Sequence, residues 1–191
     1  MKLTIRPLQL GATLFLACSI LGIGACKKTT SAAATCTDGI KNQHETGIDC
    51  GGECFSFNAT VNGSSGNGWS AISAGNPSTG FVLISAATNA GDPGVLLQVN
   101  NVTGPGTYTI NTCATAGNFL QCTIGPSATQ VQYRTDATHT GTITFTKADR
   151  TLKGLSGTFS FTANQYDAVS NTTVGPGTAT IINGSFNDVC W

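Results

Sequence analysis

The feature that most constrains the fold is a two-residue alternation of apolar and polar side chains, which recurs from residue 55 to the end of the chain. Side chains of a β-strand point to opposite faces in turn, so this period predicts strands with one buried and one exposed face. Gly, Pro, Asn and Asp separate the segments, as turns require. The predicted strands are Phe55–Asn62, Gly68–Ser73, Phe81–Thr88, Val95–Val102, Gly106–Asn111, Leu120–Ile124, Thr129–Thr135, Gly141–Lys147, Gly154–Ala163 and Gly177–Val189. The sequence therefore predicts an all-β, antiparallel domain over residues 55–191, either a β-sandwich or a partly open barrel.

The clearest unit of this pattern is a hairpin of residues 141–147 and 154–161, with a turn near Asp149 and Arg150. One face is predicted to be apolar, with Ile143, Phe145, Leu155, Phe159 and Phe161. The other face is predicted to carry Thr142, Thr144 and Thr146. Antiparallel sheets with one wet face show this alternation. Residues 63–67 (GSSGN) are predicted to be a loop tip.

Charged residues make up only 9% of the chain, against about a quarter in an average domain. The formal net charge is zero, and no basic cluster is present, which excludes the electrostatic footprint of a nucleic-acid-binding protein. The charges are segregated along the chain. Residues 36–54 carry one lysine against four carboxylates, a net charge of −3, whereas residues 55–191 carry four basic groups against five aspartates, or −1.

Residues 1–25 have the layout of an export signal, in which Lys2 and Arg6 precede an apolar stretch from Leu8 to Ile23. The stretch ends in Ile-Gly-Ala-Cys26, which resembles the lipobox of bacterial lipoproteins. The resemblance implies that diacylglyceryl is attached to the Cys26 sulfur and that the chain is cut before it, so that palmitate-type acyl chains form a stable anchor. A plain transmembrane anchor and a conventional cleaved signal are the alternatives. The apolar run is short for a span, and a bare signal does not need Cys26.

Residues 26–35 are predicted to be the lipidated Cys26 followed by a flexible tether, KKTTSAAAT, of small and polar residues. Lipoproteins of the Bacteroidetes type often show Cys-Lys-Lys at this place. We therefore expect a cell-envelope protein, an outer membrane lipoprotein whose membrane partner is reached through the lipid. The sequence leaves both the periplasmic and the outward-facing orientation open.

Cysteine spacing predicts a disulfide framework in the exported part of the chain. Of eight cysteines, Cys18 lies in the signal and Cys26 is assigned to lipid, which leaves Cys36, Cys50, Cys54, Cys113, Cys122 and Cys190. An even number in an oxidising compartment favours three bridges over zinc ligation. The favoured pairs are Cys113 with Cys122, and Cys36 with either Cys50 or Cys54. The cysteine left over would then pair with Cys190 and hold the C-terminus near the N-terminal segment.

Residues 36–54 are predicted to form a small disulfide-closed knot rich in oxygen-bearing side chains: Asp38, Asn42, Glu45, Asp49 and Glu53. Ca²⁺ takes six to eight oxygen ligands, so this loop is a speculative calcium site and the only cofactor hypothesis that the sequence offers. The EF-hand order of ligands is absent. The alternative is structural, with Asp38 and Asn42 bonding to nearby backbone and the carboxylates facing water.

Two resemblances accompany these patterns. Residues 36–54 match C-x-DGI-x-N-x2-ET-x2-DCGG-x-C and resemble a short module near the N-terminus of exported bacterial proteins, although the further cysteine common in relatives is replaced here by Phe-Ser-Phe. The following body resembles a family of unknown function found in Bacteroidetes-type lipoproteins. The segments that carry this resemblance are Gly104–Ile110, Gly141–Asp149, Leu155–Ala163 and Thr180–Phe186. It implies a lipid-anchored β domain and supplies no catalytic residues.

No catalytic motif emerges from the sequence. A Ser–His–Asp arrangement needs a base, and outside the signal only His44 and His139 are available. Paired carboxylates are not evident either, because the aspartates of the β domain fall in or beside predicted turns: Asp92, Asp136, Asp149, Asp167 and Asp188. Aromatic platforms for sugars are conceivable at Trp69, Tyr108, Tyr133, Tyr166 and Trp191, but most lie in predicted strands, where burial is commoner. We expect a non-enzymatic binding, adhesion or structural role, with a glycan or an envelope protein as ligand. The alternative is an envelope hydrolase, for instance glycan-directed, with a non-motif active site.

Overall fold

The computed structural model describes residues 35–191 except 43, 67, 90–91, 114–116 and 127. The predicted signal peptide, the lipidation of Cys26 and the tether up to residue 34 lie outside the described residues. Within the described part of the chain, no helix has the length and hydrophobicity needed to cross a membrane.

The described chain is all-β, as the alternation predicts, with one short 3-10 turn at Gly52–Cys54. Its eleven strands are β1 (Ser56–Val61), β2 (Ser64–Ser65), β3 (Trp69–Asn76), β4 (Phe81–Thr88), β5 (Gly94–Val99), β6 (Gly106–Ile110), β7 (Phe119–Ile124), β8 (Val131–Arg134), β9 (Gly141–Asp149), β10 (Gly154–Asp167) and β11 (Thr172–Cys190). All ten predicted strands are present. The predicted loop tip at 63–67 instead contains β2, which pairs with Thr60 and Val61 of β1.

The strands form one large antiparallel sheet that is not closed into a barrel. Its order is β2-β1-β11-β10-β8-β7-β5-β4-β3, and β10 carries a branch in which β9 and then β6 are added. The branch arises because β10 is long: Gly154–Phe161 pairs with β9, while Asn164–Tyr166 pairs with β8. Near opposite ends of the strand order, Phe57 of β1 and Trp69 of β3 bring their rings within 5.2 Å. The sheet therefore folds over itself into a sandwich-like arrangement.

Among the described residues, the buried apolar side chains form one core cluster, which lies between the facing parts of the folded sheet. The predicted hairpin is confirmed as β9 and β10, and Ile143 and Phe145 of its inner face are at most 1% exposed. Phe145 meets Tyr108 and Phe186 edge-on, with ring centroids 5.6 and 5.8 Å away. Full burial of each such side chain contributes about 1.5–3 kcal/mol to stability, so the inner faces of these strands hold the fold together.

Two disulfides close the N-terminal knot onto the sheet. Cys36 bonds to Cys54 inside the knot, and Cys50 bonds to Cys190 at the end of β11. Both agree with the pairing expected for this segment. The second bridge spans a sequence separation of 140 residues and the first spans 18, so the second is expected to stabilise the fold by about 2 kcal/mol more through its restriction of the unfolded chain.

The predicted bridge between Cys113 and Cys122 is wrong, because both cysteines are free. Cys122 lies on the core face of β7 and is fully buried, and this burial raises the pKa of its thiol to about 12. Cys113 lies beyond the opposite face, where its carbonyl accepts a hydrogen bond from Arg134 at 3.3 Å. Arg134 also donates a hydrogen bond to Gln121. Gln121 precedes Cys122 on β7, and its side chain points away from the core. The eight residues between the cysteines suit a loop, but the sheet separates the two thiols.

Candidate functional site

The carboxylates of the knot bind its own backbone. Asp38 accepts hydrogen bonds from the N–H groups of Thr35 at 3.1 Å and Ile40 at 2.9 Å, and from the Asn42 amide at 2.9 Å. The Asn42 contact, followed by the two backbone contacts, lowers the pKa of Asp38. Asp38 therefore acts as a turn residue, in agreement with the structural alternative.

Glu45 and Asp49 differ from the sequence expectation, because both are buried, each 4% exposed, and do not face water. Both oxygens of Asp49 accept from the Gly39 N–H at 3.0 Å, and Glu45 Oε2 accepts from the N–H groups of Asn42 and Asp49 at 3.2 Å. The fifth candidate, Glu53, is exposed and lies 3.7 Å from His44. No group of three or more His, Cys, Asp or Glu among the described residues is placed to hold a metal ion. The two buried carboxylates therefore stabilise the backbone conformation of the knot.

Each of the two histidines has a carboxylate as its neighbour: Glu53 lies 3.7 Å from His44, and Asp136 lies 3.1 Å from Nδ1 of His139. His139 follows Asp136 in a tight turn, where one Asp136 oxygen accepts from the backbone N–H groups of Thr138 at 2.8 Å and His139 at 2.7 Å. Partial burial acts to raise the pKa of Asp136, but these hydrogen bonds outweigh it and hold the pKa well below its usual range. The pair is a turn, as predicted.

The remaining aspartates of the β domain are similarly occupied. Asp92 accepts from the Gly125 N–H at 2.8 Å, and Asp149 and Asp167 cap the turns that follow them. Asp188 departs from the prediction, since it lies within β11 and forms an ion pair with Lys147 at 3.0 Å. Each of these aspartates is thus engaged by a turn, a backbone N–H or an ion pair.

The aromatic residues considered as sugar platforms are buried or partly buried by contacts within the protein. Tyr166 and Trp191 are 7% and 8% exposed, and the Trp191 indole donates to the Phe81 carbonyl at 2.7 Å. Trp69, Tyr108 and Tyr133 are partly buried against the core. Their rings serve the fold, as strand positions predict.

Sequence reasoning missed an arginine stack on the outer face of β7 and β8. The Arg134 guanidinium lies 4.1 Å from the Phe119 ring centre and 3.9 Å from that of Tyr166, and its Nε donates to Gln121 at 2.7 Å. Burial lowers the pKa of Arg134, although the charges of Tyr166 and Cys113 oppose this. Cation–π contacts of this kind stabilise the sheet by about 1–2 kcal/mol when desolvated. Only strand register brings these residues together, so the sequence gives no signal for the stack.

One side of the sheet carries an uncharged surface rich in hydroxyl groups, here called the hydroxyl face. It consists of outward-facing residues from five neighbouring strands: Asn58, Thr60, Thr107, Thr109, Thr142, Thr144, Thr158, Ser160, Thr162, Thr180, Ile182 and Ser185. These side chains are exposed or half-buried. The predicted outward threonines Thr142 and Thr144 are two members, so the hairpin pattern is one part of a larger array.

The array is in register across the strands. One row crosses β6, β9, β10, β11 and β1 through directly paired residues: Thr107, Thr144, Thr158, Ser185 and Asn58. A second row pairs Thr109, Thr142 and Ser160. The Thr107 and Thr144 hydroxyls lie 2.9 Å apart and bond to each other. Rows of this kind form because directly opposed residues of antiparallel strands project to the same face.

A β-bulge in β11 makes the hydroxyl face uneven. Three steps along β11, from Ile182 to Ser185, oppose two steps from Thr60 to Asn58 on β1, and Asn183 takes a positive φ of 53°. Two shallow depressions flank the bulge, with volumes of about 250 and 550 Å³. They share Thr142, Ser160 and Ile182, so they lie next to each other, and the two together are here called the groove. β-Bulges are enriched next to functional sites, where they redirect side chains.

Comparison with known proteins identifies the family and no activity. No curated protein and no solved structure shows a significant match to the chain. Residues 54–190, which contain the sheet and the hydroxyl face, match the family model described as a domain of unknown function, DUF6252. This match agrees with the expectation of an uncharacterised family. Because it covers more than half of the chain, the protein belongs to the DUF6252 family.

Proposed function

We propose that this protein is a lipid-anchored component of the bacterial cell envelope that works by binding and not by catalysis, with the hydroxyl face as its binding surface. The lipobox-like sequence ending at Cys26 supports the anchor, and the cysteine framework of the exported part suits an oxidising compartment.

The observation that carries the binding role is the hydroxyl face. Its residues are uncharged, exposed or half-buried, and spread over five strands whose opposite faces form the core. Strand pairing sets the positions of these residues, while the described histidines and aspartates are engaged in turns, caps and ion pairs. A surface of this kind offers many hydrogen-bond donors and acceptors but no general acid or base.

Photo-crosslinking in living cells tests the binding role. A photoreactive amino acid at Ser160, in the middle of the hydroxyl face, should yield crosslinked envelope material. The same substitution at Ser70, an exposed position on β3 outside the face, is the matched control. Equal yields at both positions, or no product at Ser160, would contradict the proposal.

The anchor is tested in the same strains. The substitution Cys26→Ala should release the protein from washed membranes and abolish palmitate labelling, because the acylated sulfur is lost. Labelling that persists in the variant would rule out Cys26 as the attachment site.

A further inference from the structure

We infer that the groove of the hydroxyl face takes a neutral polysaccharide chain, an inference that rests on the proposed binding function. The occupant must match an uncharged surface, a mixture of hydroxyl and aliphatic groups, and a groove that crosses several strands. Each of these conditions narrows the class of ligand.

Charge gives the first condition. The twelve residues of the hydroxyl face include none with an ionisable side chain. A phosphate, sulfate or carboxylate held against this surface would lose part of its hydration without gaining a counter-ion, which disfavours anionic ligands. A neutral ligand pays no such desolvation penalty.

The groups that line the groove give the second condition. Thr142, Thr144 and Thr158 each present a hydroxyl beside a methyl group, and Ser160 adds a hydroxyl. Ile182 is 44% exposed at the point where the two depressions meet, and Asn183 adds an amide on the bulge. Sugar rings present the same combination, with hydroxyl groups around an aliphatic C–H face. Convergent polar groups around an apolar contact are also the usual composition of a binding site.

Shape gives the third condition. The groove is lined mainly by residues of β9, β10 and β11, so it crosses two interstrand spacings, or about 10 Å in total. The rows of the hydroxyl face extend beyond it onto β6 and β1, so a chain of sugar units can continue past the groove on both sides. Adjacent strands are rotated by about 20–25°, and bulges increase this twist. A twisted array does not match a flat, rigid lattice such as ice, whereas a single flexible chain can follow it.

The experiment is a titration of the purified full-length protein in a polyoxyethylene detergent, chosen because it contains no sugar. Laminarin, mannan and dextran serve as neutral polysaccharides, and alginate and chondroitin sulfate as anionic ones. We expect a dissociation constant of about 1 mM or tighter for at least one neutral polysaccharide, and none for the anionic pair.

Variants then locate the site. Ser160→Arg places a long charged side chain in the groove and should weaken binding at least about tenfold, since the charge loses hydration on contact with a neutral ligand. Ser70→Arg, the same change at an exposed position on β3, should leave affinity unchanged. Ile182→Ala removes the apolar contact without adding charge, so it should weaken binding even if Ser160→Arg disturbs the sheet.

The inference is overturned if none of the three neutral polysaccharides binds, if only the anionic ones bind, or if Ser160→Arg and Ile182→Ala both bind as the parent does. Failure here remains distinguishable from failure of the proposed function. If Ser160 crosslinks a protein in cells while the neutral polysaccharides do not bind, the binding role stands and the ligand class is wrong.

Discussion

At the scale of single residues, the polar groups that matter for stability are those enclosed by the knot. Asp49 is almost completely buried and accepts the Gly39 N–H with both oxygens, whereas Glu53, four residues further on, is exposed. Both are acidic residues of one Gly-punctuated loop, and their spacing in the sequence does not tell them apart. What separates them is the path that the two disulfides impose on the backbone.

This difference gives a matched pair of substitutions. Asp49→Ala removes the buried carboxylate that accepts from the Gly39 N–H, and loss of this charge-assisted hydrogen bond should lower the free energy of unfolding by about 1–3 kcal/mol. Glu53→Ala should change it by less than about 0.5 kcal/mol, because the side chain is exposed. Urea unfolding without reductant measures both values. Equal effects would show that Asp49 does not have the structural role assigned to it.

At the scale of strands, the alternation of apolar and polar residues predicts which side chains face the core, and this prediction is most accurate where the turn between two strands is short. The β9–β10 hairpin has its predicted turn, inner face and outer face. The pattern failed where a strand absorbs extra residues. The alternation predicts that β11 begins at Gly177, but the strand begins at Thr172. The intervening Gly-Pro-Gly segment is an irregularity in the pairing with β10, between the partners of Tyr166 and Asn164.

The same alternation, applied to β7, would have placed Cys122 on the core face with Leu120. The length of the segment between Cys113 and Cys122 would permit a bridge, but the inward orientation of Cys122 does not. An alkylating reagent that enters only exposed sites should therefore modify Cys113 in the native protein before Cys122, and both after unfolding. Mass mapping gives the count. Absence of any free thiol after unfolding would restore the bridge that the structure removes.

At the scale of the whole molecule, sheet order is what the sequence could not provide. The long β10 pairs with β8 and β9 in succession, and this branch places β6, β9, β10, β11 and β1 side by side. Threonines that are separate in the sequence thereby become one surface. The alternation within the hairpin is enough to predict its outward threonines. The five-strand rows depend on pairing between distant segments, which leaves no local pattern in the sequence.

The two faces of the same strands have different roles in the proposed function. Inner residues such as Phe145 hold the sandwich-like fold, and outer residues such as Ser160 are exposed and belong to the proposed binding surface. The proposed lipid anchor would keep this surface at the membrane, and the bridge between Cys50 and Cys190 ties the knot to the last strand.

The measurement that tests this division most directly is a mutational scan of residues 141–161, scored for protein abundance and for retention of the neutral polysaccharide identified by titration. Substitutions at inward positions Ile143, Phe145 and Phe159 should reduce abundance, since loss of a buried large side chain costs about 3–5 kcal/mol for phenylalanine. Charged substitutions at Thr142, Thr158 and Ser160 should preserve abundance and reduce retention. If these outward positions accept charge without loss in either score, the hydroxyl face is an ordinary solvated surface and the account is contradicted.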